Sequence, residues 1–111
     1  MKHCMMLNST PFELIKSGQK TVEMRLCDKK RSLIKIGDEI EFTNRENGEK
    51  LLTCVCNLRK FDSFKELYAS YDKSALGYLE SETANPQDMS QYYDTEKIKK
   101  HGALAIEIKL I

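Results

Sequence analysis

Three charged residues that could do chemistry together stand within six positions of one another: Lys20, Glu23 and Arg25. The intervening Val22 and Met24 alternate with them in the way of a strand that turns one face to a core. An unpaired ion beside a core costs roughly several kcal/mol of desolvation, so such charges usually form a mutual network or a binding site. Lysine and arginine can hold a phosphate or a carbonyl group, and a glutamate can orient them. The plainer alternative is a surface lysine beside a Glu23–Arg25 pair.

The same residues also allow a hydrolytic interpretation. Amide hydrolysis needs a nucleophile, a group that moves protons and a group that stabilises the oxyanion. Lys20, if desolvated and close to Arg25, could act as a base, and Glu23 could activate water. Thr21 is an alternative nucleophile, but neighbouring strand residues point to opposite faces, which disfavours contact between its hydroxyl and Lys20.

Composition limits the classes of function. The chain has 111 residues with 18 basic and 17 acidic side chains, which indicates one domain over 1–111 and no strong general attraction to nucleic acid. No apolar run approaches the ~20 residues of a membrane span, and the apolar run near the N-terminus is too short for a signal peptide, so we expect a cytoplasmic protein. Cys54-x-Cys56 is spaced more closely than the usual zinc ligands, so we expect neither metal nor cofactor.

Alternating apolar residues predict five strands, at 2–8, 20–26, 39–42, 50–58 and 103–110. Capping patterns predict that one helix begins at Thr10 and another at Ser63, and Gly18 is placed to end the first. Further helical turns are expected after Asn85 and Thr95. Strands and helices in this order predict an α+β fold, mainly β, with a small bent sheet or barrel and helices over one opening.

The dipeptide Asn47-Gly48 is the strongest hairpin signal in the chain. Asn-Gly favours a two-residue type I′ turn because both positions require positive φ. Such a turn would pair Phe42 with Thr53 and Ile40 with Val55. The apolar positions of the helices and strands give an expected core of Phe12, Ile15, Val22, Met24, Ile36, Ile40, Phe42, Val55, Phe64, Leu67, Leu104, Ile106 and Ile108.

The pattern as a whole resembles the ASCH domain, a β-barrel family of the PUA-like superfamily. The resemblance covers roughly residues 10–110. Its most specific part is the run from Gly18 through Lys20-Thr21-x-Glu23-x-Arg25, followed by Ile36-Gly37-Asp38. The supporting segments are Phe61-x-Ser63-Phe64-x-Glu66-Leu67, Met89-x-x-Tyr92-Tyr93 and Gly102-Ala103-Leu104-Ala105-Ile106.

The resemblance implies a barrel of five or six strands, with a cleft between barrel and helices lined by the Lys–Glu–Arg run. Family members are proposed to bind RNA or nucleotide-like ligands, others have been linked to RNA cleavage, and some small ones are amide hydrolases acting on N4-acetylcytidine. In those hydrolases a catalytic threonine follows the lysine by three residues. This chain has Glu23 there. Those hydrolases also have a catalytic glutamate in the helical region, for which Glu66, Glu80 and Glu82 are candidates only by neighbourhood.

We therefore expect RNA or nucleotide-like ligand binding, through Lys20, Thr21, Glu23, Arg25, Tyr92 and Tyr93. The tyrosines, with Tyr68, could stack a base. Lys29-Lys30-Arg31 and the lysines Lys97, Lys99 and Lys100 could add flanking charge. The alternatives are an amide hydrolase of acylated nucleosides that uses Lys20 and Glu23, and a protein–protein interaction module.

Overall fold

A curled five-stranded sheet forms the centre of the computed structural model, which describes residues 1–111. The strands are β1 (Lys2–Leu7), β2 (Val22–Leu26), β3 (Glu39–Asn44), β4 (Lys50–Phe61) and β5 (Ala103–Leu110). The helices are α1 (Ser9–Lys16), between β1 and β2, and α2 (Phe64–Ala69) and α3 (Thr95–His101), between β4 and β5. Short 3₁₀ turns cover Arg31–Leu33 and Pro86–Gln91. No helix has the length and apolar character needed to cross a membrane.

The strand order is β1-β3-β4-β5-β2, with β1 and β3 parallel and the other three pairs antiparallel. The sheet curls into a half-barrel, which confirms the expected α+β fold with a small bent sheet. Strands β1 and β2 are its two edges. The Arg25 guanidinium crosses between them, where Nη2 donates to the Met6 carbonyl oxygen at 3.2 Å.

Two apolar cores lie on opposite faces of β5. On one face Leu104 and Ile106 join a cluster of 11 buried residues that includes Phe12 and Ile15 of α1. On the other face Ala103 and Ala105 join a cluster of 8 buried residues, whose other members include Val22, Met24, Phe64 and Leu67. The sheet therefore positions α1 and α2 on different sides of β5, and it buries all but one of the expected core residues.

The exception is Ile36, which is 62% exposed, so its assignment to the core was wrong. Residues 34–38 do not form a strand, and Gly37 takes a positive φ of 93° just before β3. Without strand geometry, alternation no longer places Ile34 and Ile36 on one face. Ile34 is buried instead, at 5% exposure.

Helix starts were predicted with mixed success. The Ser63 cap is confirmed, because Ser63 Oγ accepts the Glu66 N–H at 3.2 Å. Helix α1 instead begins at Ser9: its N-cap residue is Asn8, two residues before the predicted cap Thr10, and it makes no side-chain cap bond. Asp94 rather than Thr95 caps α3, accepting the Lys97 N–H at 2.8 Å.

The β3–β4 hairpin was predicted at the right place but in the wrong register. The observed pairs are Phe42 with Leu51 and Ile40 with Thr53. No non-glycine residue has positive φ, so Asn47 does not adopt the type I′ conformation. Of the two residues of the dipeptide, only Gly48 has a positive φ, of 74°. The loop is longer because Asn44 closes it: its N–H donates to the Glu49 carbonyl at 2.8 Å and its carbonyl accepts from Gly48 at 2.9 Å.

Candidate functional site

A buried carboxylate joins the two cations of the β2 segment. Glu23 Oε1 lies 3.0 Å from Lys20 Nζ, and Glu23 Oε2 lies 2.8 Å from Arg25 Nη2. Arg25 Nε also donates to Oε2 at 3.0 Å, and the Met24 N–H donates to Oε1 at 3.2 Å. The side chains of Lys20, Glu23 and Arg25 are only 8%, 4% and 13% exposed. The three charges therefore form a buried mutual network, and Lys20 is not a surface lysine beside a separate Glu23–Arg25 pair.

Strand alternation and one glycine place this network. Glu23 and Arg25 lie on the face of β2 opposite to Val22 and Met24, which pack into the second core. The Lys20 stem runs past Gly77, where an added Cβ would be 3.0 Å from Lys20 Cδ. Gly77 thus leaves room for the buried lysine stem.

Glu23 and Arg25 of this network remain ionised. Burial by itself pushes the pKa of the Glu23 carboxyl upward, but the charges of Lys20 and Arg25 outweigh burial and hold that pKa below its ordinary value. Burial likewise opposes the charge of Arg25, yet Glu23 and the neighbouring Tyr93 hydroxyl raise the pKa of its guanidinium. Glu23 and Arg25 therefore keep their charges at neutral pH, and Glu23 is poorly suited to take up a proton.

A cleft of about 280 Å³ opens beside the network. Lys20, Glu23 and Arg25 line it, together with Tyr92 and Tyr93, so the structure brings five of the six expected ligand-binding residues to one cavity. Thr21 is exposed and does not line the cleft. Its backbone bonds to Ala75 and Ile108 hold it in the chain turn before β2, away from the cavity.

Tyrosines make up one wall of the cleft. Tyr92 is 57% exposed, whereas the Tyr93 ring lies parallel to Phe64 with centroids 6.1 Å apart. Tyr68 contacts Tyr78 edge to face, with ring centroids 5.8 Å apart. Tyr92 thus has the ring surface most open to a ligand, while the others are held by protein contacts.

Sequence reasoning missed a polar chain in the same wall. The Tyr68 and Tyr78 hydroxyl oxygens are 2.8 Å apart, and Tyr78 donates to Asp88 Oδ2 at 2.6 Å. Burial and the bond to Asp88 raise the pKa of Tyr78 far above its ordinary value, so it stays a donor. Tyr78 lies in a segment without a hydrophobic pattern, and Asp88 lies in the helical turn expected after Asn85, so neither carried a signal of contact.

Arg45 was also missed, and it lies in the hairpin loop at the mouth of the cleft. The other expected charges divide. Lys30 and Arg31 line a second cavity that adjoins the cleft, whereas Lys29 and the α3 lysines Lys97, Lys99 and Lys100 line neither. Glu66, Glu80 and Glu82 do not line the cleft either, so its only carboxylates are Glu23 and Asp88. All four cysteines are free thiols.

A half-barrel whose edge strand carries a buried Lys–Glu–Arg network beside a tyrosine-walled cleft defines a PUA-like class of protein. The ASCH domain family model matches residues 5–111, and the chain belongs to that family, which is proposed to bind RNA. The resemblance drawn from the sequence is thereby confirmed.

Solved structures share the fold. The hypothetical protein PH0355 is 37% identical over 100% of both chains, with a TM-score of 0.83. Protein PF0455 from Pyrococcus furiosus is also 37% identical, over 100% of this chain and 98% of that one, with a TM-score of 0.72. ASCH from Zymomonas mobilis shares the fold at 17% identity, with 97% and 66% of the two chains covered and a TM-score of 0.68. No curated protein matches the chain.

Proposed function

We propose that this protein binds RNA or a nucleotide-like ligand in the cleft beside the Lys20–Glu23–Arg25 network. The observation that carries the proposal is the state of Lys20. Its ammonium has three donors but one protein acceptor, Glu23, and it lines the cleft. A buried ammonium with donors to spare at a cavity wall is suited to a ligand carbonyl or phosphate.

Each residue has a distinct role in this proposal. Lys20 and Arg25 contact the ligand's acceptor groups, and Glu23 fixes the positions of both cations. Tyr92 offers its exposed ring to a base, since base–aromatic stacking contributes about 1–3 kcal/mol per base. Thr21 has no role, because it lies outside the cleft.

Amide hydrolysis of an acylated nucleoside is the second candidate. It is favoured by a lysine and a further carboxylate, Asp88, lining one cavity. The proposed use of Glu23 as the group that activates water is weakened by its contacts, because both oxygens already accept bonds and the pKa is lowered. Binding without turnover therefore fits this site better.

One experiment separates the candidates. Fluorescence anisotropy with labelled 12-nucleotide RNAs measures binding, and chromatography after incubation with N4-acetylcytidine measures turnover. We expect wild-type protein to bind RNA without turnover, and Lys20→Ala to weaken binding by about 1–3 kcal/mol. Lys99→Ala, an exposed change of equal charge on α3, is the control and should bind like wild type.

Three results would change the proposal. Turnover that disappears in Lys20→Ala would favour the hydrolase. Equal binding by Lys20→Ala and wild type would place the ligand elsewhere. Wild-type protein that neither binds nor hydrolyses these compounds would leave a protein–protein interaction module as the remaining interpretation.

A further inference from the structure

A second cavity of about 450 Å³ continues from the cleft along the gap between the edge strands. Five of its ten lining residues are basic, and none is acidic. We call this cavity the basic groove, defined by Lys2, Arg25, Lys30, Arg31 and Arg45. The basic groove and the cleft share Met6, Arg25 and Arg45, so an extended ligand can pass from one to the other.

Two of the five cations have no carboxylate partner. Lys2 pairs with Glu41 at 3.3 Å, Arg31 with Asp28 at 2.8 Å, and Arg25 with Glu23. Lys30 and Arg45 form no ion pair and are exposed. The basic groove thus has uncompensated positive charge at two points, although the net charge of the whole chain is only +1. A local anion site is the way a near-neutral protein attracts a polyanion.

The hairpin loop that carries Arg45 is anchored. The backbone N–H of Arg45 donates to the Leu7 carbonyl of β1 at 2.9 Å. The preceding Asn44 is fully buried, accepts the Glu46 N–H through Oδ1 at 3.0 Å, and donates to Ser9 Oγ at 3.4 Å. Because its backbone is fixed on both sides, Arg45 is held at the junction of cleft and basic groove.

We propose that the ligand is a nucleic acid strand rather than a free nucleotide, with one nucleotide in the cleft and the adjoining phosphates on Arg45 and Lys30. This inference rests on the proposed function, because it extends the same site. Arg45 contacts the phosphate at the junction, and Lys30 contacts a phosphate further along the basic groove. The contacts are to phosphate oxygens, so RNA and DNA strands of equal length respond alike to loss of either cation.

The test compares a strand with its monomer. Labelled RNA and DNA 12-mers of mixed sequence and the four nucleoside 5′-monophosphates are titrated against wild type, Lys20→Ala, Lys30→Ala, Arg45→Ala and the control Lys99→Ala. We expect Lys30→Ala to weaken 12-mer binding about 3- to 10-fold and to leave monophosphate binding within about twofold. Arg45→Ala should weaken both. Each change should reduce the slope of log K against log salt by about 0.7, the value for one phosphate contact on a single strand.

The outcomes separate this inference from the proposed function. If Lys20→Ala loses the 12-mer while Lys30→Ala and Arg45→Ala both bind it like wild type, the strand inference is wrong and the cleft proposal stands. If wild type binds monophosphates as tightly as 12-mers, the strand inference is also wrong. If wild type binds neither, both proposals fail. If Lys99→Ala weakened 12-mer binding as much as Lys30→Ala does, the strand would be held by non-specific electrostatic attraction instead of a site. That result would overturn the inference.

Discussion

Lys20 Nζ and Glu23 Oε1 lie 3.0 Å apart, and both side chains are more than nine-tenths buried. The pair is completed by Arg25 on the second oxygen of Glu23. Removing one partner of a buried ion pair is far more costly than its net contribution suggests, because the remaining charge stays out of water. Glu23 holds two such charges, so it links the stability of the fold to the geometry of the cleft.

Glu23→Gln should therefore destabilise the protein. The amide keeps the shape and one acceptor oxygen but leaves the charges of Lys20 and Arg25 without a counter-ion. We expect the free energy of unfolding to fall by about 3–5 kcal/mol, measured by urea denaturation at pH 7. Glu46→Gln, in the exposed hairpin loop, is the control and should stay within about 0.5 kcal/mol. Equal stability of the two variants would mean that the network contributes little.

Acid sensitivity follows from the same carboxylate. Since the pKa of folded Glu23 lies below its ordinary value of 4.5, its stabilising effect is present above about pH 4.5 and is lost as pH falls through the folded pKa. The unfolding free energy of wild type should decrease as the pH falls below about 4.5, and that of Glu23→Gln should decrease less steeply. The hydrogen bond from His3 lowers the pKa of Asp38 to about 2. Asp38 is present in both proteins, so its contribution to the pH dependence is the same in each. Parallel pH curves for the two proteins would contradict this assignment.

Periodicity in the sequence predicts regular elements and fails where a side chain reorganises the backbone. The bounds of strand β5 were predicted correctly, because its alternating residues face two cores. The hairpin register was missed by two residues, because Asn44 closes a longer loop than the Asn-Gly turn requires. The length of this loop depends on contacts from Asn44 to Ser9 and from the hairpin loop to β1. These contacts join residues that are far apart in sequence.

The candidate site divides in the same way. Lys20, Glu23 and Arg25 were predictable because they share one short segment and a strand pattern. Tyr78, Asp88 and Arg45 come to the cleft from segments without periodicity, and only the fold brings them together. A local pattern can thus identify the centre of this site, while its walls depend on long-range packing.

Alanine substitutions at two residues that were expected in the core should have very different effects on stability. Phe42 is fully buried, whereas Ile36 is 62% exposed. Phe42→Ala should lower the unfolding free energy by about 3–5 kcal/mol because it leaves a cavity, and Ile36→Ala should change it by less than about 0.5 kcal/mol. Urea denaturation of both variants measures the difference. If Phe42→Ala lowered the unfolding free energy by less than about 1 kcal/mol, Phe42 would not be part of the cluster of 11 buried residues.

Tyr92 should affect binding without affecting stability. Its ring lines the cleft and is 57% exposed. Tyr92→Ala should weaken RNA binding by about 1–3 kcal/mol through loss of stacking, and Tyr92→Phe should retain most of the affinity because the ring remains. Anisotropy titrations measure both. Tyr71→Phe, which removes a hydroxyl bonded to Glu107 outside the cleft, is the control and should bind normally. Unchanged binding by Tyr92→Ala would exclude stacking on this ring.

Gly77→Ala should weaken ligand binding through Lys20. An added Cβ would lie 3.0 Å from Lys20 Cδ, so the lysine stem must shift within a buried site. Gly18→Ala is a matched control, because its φ of 88° resembles the 100° of Gly77 but nothing lies within 4 Å of its added Cβ. Both changes should cost about 1–2 kcal/mol of stability from backbone strain, measured by urea denaturation. Only Gly77→Ala should also reduce RNA affinity, and equal affinities of the two folded variants would show that the position of Lys20 does not govern binding.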